Sequence, residues 1–342
     1  MPRIGHHPLK ITGLKDDFRP QKITIATITH IPQLSGYWAE SLSVLRIFFN
    51  SLFDSTAQPF DLMVFDNASC VEVQNYLVGL HQEGKIQYLT LSEHNLKKLG
   101  ALNYLLSTAP GDYVAFADSD VYFLPGWLDA SLKILDVFPE AAKVTALPLV
   151  GGNKTLLYAG NVKQAQSDLT ISLKTGELIE QEYIDAHRIS LGKTSDQYQI
   201  YLANRKDVLL TRKGVSAYLT GADFQFTITR QAIQKALPLV VENPDEYYDP
   251  IYSPVLERKL EAAGLWHLST PDYLVHHMGN HVPDLSLELP WLRLEKDKLF
   301  HNTEHPKKLA SFSLLSRLRQ NRIIRKIMNK LHLWSYRFLY DS

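Results

Sequence analysis

Apolar and polar residues along the first 150 positions follow two periods that take turns. "KITIATIT" (22–29) places β-branched residues at every second position, the period of a strand. After the loop "HIPQLSG", Trp38, Leu42, Leu45, Phe49 and Leu52 recur every three or four residues, which predicts one face of an amphipathic helix. "FDLMVF" (60–65) reads as a buried strand, "DNAS" as a turn, and 71–82 as a second helix ending near Gly84. The alternation continues through a strand at 85–92, a helix at 99–107, the strand "YVAFA" at 113–117, a helix at 127–137 and the strand "KVTALPL". Strand and helix in strict turn predict an α/β fold, a mostly parallel central sheet with helices on both faces.

Beyond 150 the alternation breaks. The polar stretch 151–210 predicts a lid or acceptor loop with a hairpin around "KTGEL", and further helices are expected at 229–236 and 254–263. From Ser311 to Tyr340 there is no acidic residue, while Arg317, Arg319, Arg322, Arg325, Lys326, Lys330 and Arg337 are basic. Ile324, Ile327, Leu331, Trp334 and Phe338 form an apolar stripe through the same stretch. A basic amphipathic helix of this kind suits an anionic membrane surface, ahead of a face packed on the domain or on another subunit. The chain thus divides into an extension (1–21), two halves of one domain (22–150 and 151–290) and a helical C-terminal segment (291–342).

Composition removes several classes of function. The 342 residues are 45% apolar and 21% charged, as in ordinary globular proteins. Lys plus Arg and Asp plus Glu both number 36, so no basic excess points to nucleic acid. The single cysteine, Cys70, excludes an intramolecular disulfide and a cysteine zinc cluster, and it suits a reducing compartment. With no hydrophobic leader and no apolar run of the roughly 18–20 residues a membrane span needs, a cytoplasmic location is expected, peripheral to the membrane's inner face if the basic helix binds there.

In open parallel sheets, ligands bind beyond the carboxyl ends of the strands. Three predicted strands end there in polar residues: Thr27 and Thr29, then Asp66 and Asn67, then Asp118, Ser119 and Asp120. Each acid taken alone serves as a helix cap or turn residue. Together they predict a site. Two close carboxylates repel unless a cation lies between them. Hard oxygen ligands suit Mg2+ or Mn2+, commonly completed by phosphate oxygens of a substrate. There is no G-x-G-x-x-G after the first strand, and "GGNKT" (151–155) lacks the Walker order. A divalent metal carrying a diphosphate is therefore expected at the acidic pair.

"HNLKKLGALNYLLSTAPGDYVAFADSDVYFLPGWL" (94–128), with "FDLMVFDNAS" ahead of it, resembles the nucleotide-sugar binding half of family 2 glycosyltransferases, which have the GT-A fold. The resemblance covers about 22–150 and returns thinly in 219–233 and 256–280. It implies a metal-dependent transfer of a hexose from a nucleotide-diphosphate sugar, UDP before GDP, to a hydroxyl of a saccharide or lipid-linked acceptor, with inversion. It also implies roles. Asp118 and Asp120 match the Asp-x-Asp metal motif, completed by His277 or by its neighbour His276. Asp66 matches the acid that reads the base, with Thr27, Thr29, Asn67, Ala101 and Asn103 beside the nucleotide and Ser119 in the motif. Lys97 stands where the family usually has glycine, and Lys97 or Lys98 is a phosphate candidate. Gly221, Ala222 and Asp223 fall on the acceptor side. "VVENPDEYYDPIYSPVLERKLEAAG" lacks the family's adjacent Glu-Asp pair, so the base is Asp249 first, then Glu246 or Asp245, with Asp223 as an outsider. Two other readings remain: a catalytically inactive carbohydrate-binding relative, and a sugar nucleotidyltransferase, whose Gly-rich basic first loop is missing.

Overall fold

β1 (Ile23–Thr29) is buried along its whole length, as a strand with neighbours on both sides must be. The computed structural model describes residues 19–150, 159–203, 205–240 and 255–292, all within one compact unit that ends at Leu292. Asp245, Glu246, Asp249, "GGNKT" and the basic stretch 311–340 lie outside the described residues.

The predicted alternation forms, with shifted ends. α1 (Ser41–Ser55) is followed by β2 (Asp61–Asn67), α2 (Val71–Gln82), β3 (Tyr88–Ser92), α3 (Lys97–Thr108) and β4 (Tyr113–Asp118). Trp38 precedes α1, in a separate 3-10 turn over Gly36–Trp38. β5 (Val121–Phe123), α4 (Trp127–Val137) and β6 (Ala141–Thr145) complete the first half. The stretch read as a long loop is folded from residue 159 onward: α5 (Ala159–Ser167), β7 (Ser172–Gly176), α6 (Gln181–Ser190), α7 (Ser195–Leu202) and β8 (Asp207–Arg212). The turn at "KTGEL" makes no local hairpin, because β7 pairs antiparallel with β8, about thirty residues on. β9 (Val215–Tyr218), β10 (Gln225–Thr229), α8 (Arg230–Ala236), α9 (Val255–Ala262), β11 (Trp266–Ser269), β12 (Val275–His277) and the short α10 (Leu285–Glu288) follow.

The main sheet runs β3-β2-β1-β4-β10-β6-β11-β9-β8-β7, and β12 pairs with β5 in a second, two-stranded sheet. β3, β2, β1 and β4 are parallel. β10 is antiparallel to both its neighbours, so the strand after α4 does not lie beside β4. That insertion delivers the loop before β10 to the carboxyl end of β4.

Strand parity assigns each side chain a face, since successive residues point to opposite sides. Ala26, Ile28, Met63, Phe65, Val114, Phe116, Phe226 and Ile228 pack with Leu102 and Leu105 of α3, Ile233 of α8 and Leu260 of α9. On the other face, Ile134 and Phe138 of α4 pack with Val144, Leu210 and Leu268.

One ion pair is sealed inside. Lys143 of β6 is fully buried; its ammonium meets the carboxylate of Glu257 on α9 and donates to the carbonyl of Ala222 at 2.9 Å. It also sits 4.7 Å over the Phe226 ring. Removing one partner of such a pair leaves an uncompensated charge, whereas replacing both with apolar groups is often nearly neutral. Lys143→Met should therefore cost about 3–5 kcal/mol in urea denaturation, and the double variant Lys143→Met with Glu257→Leu should recover most of it.

His267 lies opposite Lys143 in the β11–β6 register and is fully buried. Burial, and then the Lys143 charge, hold its imidazole well below the ordinary value of 6.5. The native state keeps it neutral while the unfolded chain takes up a proton below 6.5. Its contribution is present above that pH and lost as pH falls. Stability should drop by up to about 1.4 kcal/mol per pH unit below 6.5 from this group, and the His267→Gln variant should show a flatter acid limb.

Candidate active site

The carboxyl end of β4 carries Asp118, then the turn Ser119–Asp120, then β5. Asp118 donates its backbone N–H to the carbonyl of Phe224 at 2.7 Å, so the loop before β10 closes against this edge. The Lys98 ammonium, from the first turn of α3, meets Asp118 Oδ2 at 2.7 Å and the Asp223 carbonyl at 3.4 Å. Behind the turn, Asp120 accepts from the Met278 N–H at 2.8 Å, and His277 Nε2 stands 3.2 Å from Asp120 Oδ2.

These charges tune one another. Burial pushes the Asp118 carboxyl up to about 6, with Lys98 opposing the rise and Asp120 adding to it. Burial works against the Lys98 charge, but Asp118, and Asp223 behind it, hold that ammonium above the usual lysine value. His277 is likewise disfavoured as a cation by burial, yet Asp120 overrides this and lifts it to about 9, so it is charged at neutral pH.

Strand parity decides which histidine faces the acids. His276 is fully buried; its Nε2 donates to Glu288 Oε2 at 2.8 Å, and its Nδ1 takes the Tyr273 hydroxyl at 2.9 Å. His277, one residue on, turns the opposite way and meets Asp120.

Parity also divides the predicted residues between the two faces of the sheet. Asp118 is level with Ile28 on β1, while Asp66 is level with Thr29. Asp118 therefore points to the α3 face, and Thr27, Thr29 and Asp66 point to the other. All three are fully buried there. Asp66 Oδ2 accepts from the Ser69 N–H at 3.3 Å and from Gln74 Nε2 at 3.0 Å, which makes it the organiser of the β2–α2 turn. The Thr27 and Thr29 hydroxyls and Asp66 Oδ1 are buried without a protein partner.

Two further predicted residues have partners within the protein. Ala101 packs in the α3-face core. Asn103 spends its amide on Leu239, donating to its carbonyl at 2.6 Å and accepting from its N–H at 2.7 Å. Gly221 is packed closely on its side-chain side, where a Cβ would meet His267 at 3.3 Å and the Lys143 stem at 3.7 Å. Ala222 is tied on both sides, its N–H to Thr145 Oγ1 at 2.9 Å and its carbonyl to Lys143.

Asn67 is on the Asp118 side, and it brings in residues the sequence reading passed over. Its Oδ1 accepts from the Leu96 N–H at 2.7 Å, and its Nδ2 donates to Asn95 Oδ1 at 2.9 Å. Asn95 Oδ1 also takes the Lys97 N–H at 2.7 Å, and Asn95 Nδ2 reaches His30 Nε2 at 3.2 Å. His30 Nδ1 closes the ring by donating to the Asn67 carbonyl at 2.7 Å. The available signal was the placement of His30 one residue past β1. Lys97 has φ of 59°, the left-handed region that glycine enters without cost and other residues enter at roughly 1–2 kcal/mol. The Asn67–Asn95 clamp holds it there.

Among the described residues, no three His, Cys, Asp or Glu side chains converge to hold a metal by themselves. What is present fits a cation shared with a ligand. Asp120 Oδ1 is buried without a protein partner, beside a second carboxylate. Hard oxygens with places left over suit Mg2+ or Mn2+ completed by phosphate. His277 would have to lose its proton before serving as a ligand.

The acidic pair thus stands at the carboxyl rim of the central sheet of an α/β protein. Residues 39–175 match the family described as Glycosyl transferase family 2. The chain is 32% identical over 145 residues to the "Succinoglycan biosynthesis protein ExoW" of Rhizobium meliloti (strain 1021), a match covering 42% of this chain and 45% of that protein. It thus spans less than half the length of that relative. Among solved structures, it is similar to a mannosyltransferase PcManGT from Pyrobaculum calidifontis in complex with GDP-Man and Mn2+, with 13% identity, 79% and 62% of the two chains covered and a TM-score of 0.43. It is also similar to GalNAc-T7 with UDP, GalNAc and Mn2+, with 14% identity, 75% and 43% covered and a TM-score of 0.43.

Because Asp66 turns away from the rim, Asp66→Ala should lower stability by about 1–2 kcal/mol in urea denaturation. Nucleotide affinity measured by calorimetry should stay within about twofold of the parent, since the lost contacts are those of a turn.

Proposed function

We propose that this chain is a metal-dependent glycosyltransferase that moves a hexose from a nucleotide-diphosphate sugar, UDP before GDP, to a hydroxyl of a saccharide or lipid-linked acceptor. The observation that carries this is the acidic pair Asp118 and Asp120, matched with Lys98 and His277 at the sheet's carboxyl rim beside the loop 221–224. The match to Glycosyl transferase family 2 over 39–175 supports the same reading. No helix of the described residues is long and apolar enough to cross a membrane.

Asp118 and Asp120 would hold Mn2+ or Mg2+ jointly with the donor, and His277 would join after losing its proton. A bound divalent ion supplies Lewis-acid stabilisation of the departing diphosphate. Lys98 adds a movable positive charge on the same side. The 12-residue α3 begins beside it, and free N–H groups at a helix N-terminus favour an anion. The acceptor hydroxyl needs a carboxylate within hydrogen-bond reach as its general base. Asp249 is the proposed base, ahead of Glu246 and Asp245, and one-step attack would invert the anomeric centre.

A panel of UDP- and GDP-sugars, read by thermal shift and by donor hydrolysis with Mn2+, tests the reading. At least one donor should raise the melting temperature and be hydrolysed, and Asp120→Asn should abolish both effects. A panel with neither binding nor hydrolysis would leave only a carbohydrate-binding scaffold.

A further inference from the structure

Each acid of the pair already faces a basic side chain of this chain: the Lys98 ammonium stands 2.7 Å from Asp118 Oδ2, and His277 Nε2 stands 3.2 Å from Asp120 Oδ2. A metal arriving at Asp118 meets an ammonium at 2.7 Å from the oxygen it needs. Placement of that ammonium is enforced rather than casual. Lys98 follows a left-handed Lys97 whose N–H is clamped by Asn95, itself held by Asn67 and His30. The first turn of α3 contains no acid, so Lys97 and Lys98 oppose the helix dipole with nothing on their own element to offset them. Compensation comes from across the site: Asp118, the Asp223 carbonyl and the Phe116 ring, 5.7 Å from the ammonium. The Lys98 side chain is still about two-fifths exposed, so it has room to move.

We propose that Lys98 is a resident counter-cation that gives Asp118 up to the incoming metal and then pairs with the donor's diphosphate. This rests on the glycosyltransferase reading, which already sets Lys98 on the diphosphate's side, and adds to it that Lys98 competes with the metal for Asp118 before the donor arrives. The exchange conserves charge. Bound to Asp118, Lys98 cancels one carboxylate. Once a dication replaces it there, the released ammonium offsets one of the diphosphate's negative charges. Because Lys98 also reaches the Asp223 carbonyl at 3.4 Å, its departure removes one of the two ties of the loop 221–224 to the donor side, leaving the Asp118–Phe224 backbone bond. Donor binding thereby precedes adjustment of the acceptor side.

The two halves of the proposal predict opposite signs in one variant. Lys98→Met keeps the apolar stem over Phe116 and removes only the charge. Mn2+ binding to the metal-stripped full chain, without nucleotide, is read from the loss of the free-ion electron paramagnetic resonance signal. UDP binding is measured by calorimetry at saturating Mn2+. In the variant, Mn2+ should bind about tenfold tighter or more, because a cation next to its ligand is gone, and UDP about tenfold weaker or more. An unchanged melting temperature checks that the fold is intact. A variant that binds Mn2+ no tighter than the parent, or UDP equally well, overturns the exchange while leaving the transferase reading in place. A parent chain that binds neither Mn2+ nor UDP overturns both.

Discussion

The hydrogen bond from the Asp118 N–H to the Phe224 carbonyl, at 2.7 Å, is the joint on which the site turns. It joins the last residue of β4 to the loop that enters β10, and so joins the two halves of the domain. The bond exists because β10 runs antiparallel between β4 and β6 and starts at the edge where β4 stops. A parallel neighbour would bring its own carboxyl end to that rim, with no incoming loop at hand. Lys98 then bridges the same two segments through side chain and carbonyl.

Charge is handled differently in front of this joint and behind it. Behind, Lys143 and Glu257 are sealed from water, and the pair fixes Ala222 from the core side. Such a pair contributes little net stability but penalises any arrangement that separates its members. In front, Lys98 with Asp118 and His277 with Asp120 stay partly open to solvent. The loop 221–224 is therefore anchored on one side by a sealed pair and on the other by a partly exposed one.

The two-stranded sheet of β5 and β12 gives the front pairs their geometry. Val121 lies opposite His277 and Tyr122 opposite His276, so the turn bearing Asp120 and the strand bearing His277 are fixed to each other by backbone bonds. Tyr273 and Glu288 lock His276 inside, which leaves its neighbour only the outward direction. A pair of adjacent histidines thus divides into one that holds the strand and one that faces the acids.

The alternation of periods 2 and 3.6 determined the α/β class, the first four parallel strands and the helices between them, because each element's buried face is written in its own residues. It also determined that polar residues end those strands, and that "ADSD" is the strongest candidate among them. Tertiary structure decided which of those ends share a face. Parity along β1, β2 and β4 places Asp66, Thr27 and Thr29 opposite Asp118, and parity depends on register between strands, which no single strand records. The insertion of β10, the folding of 159–212 into helices and edge strands, and the His30–Asn67–Asn95 ring all arise from contacts between residues far apart in the chain. Local spacing carries no trace of such contacts, because the free energy that selects them is gained only when the sheet assembles.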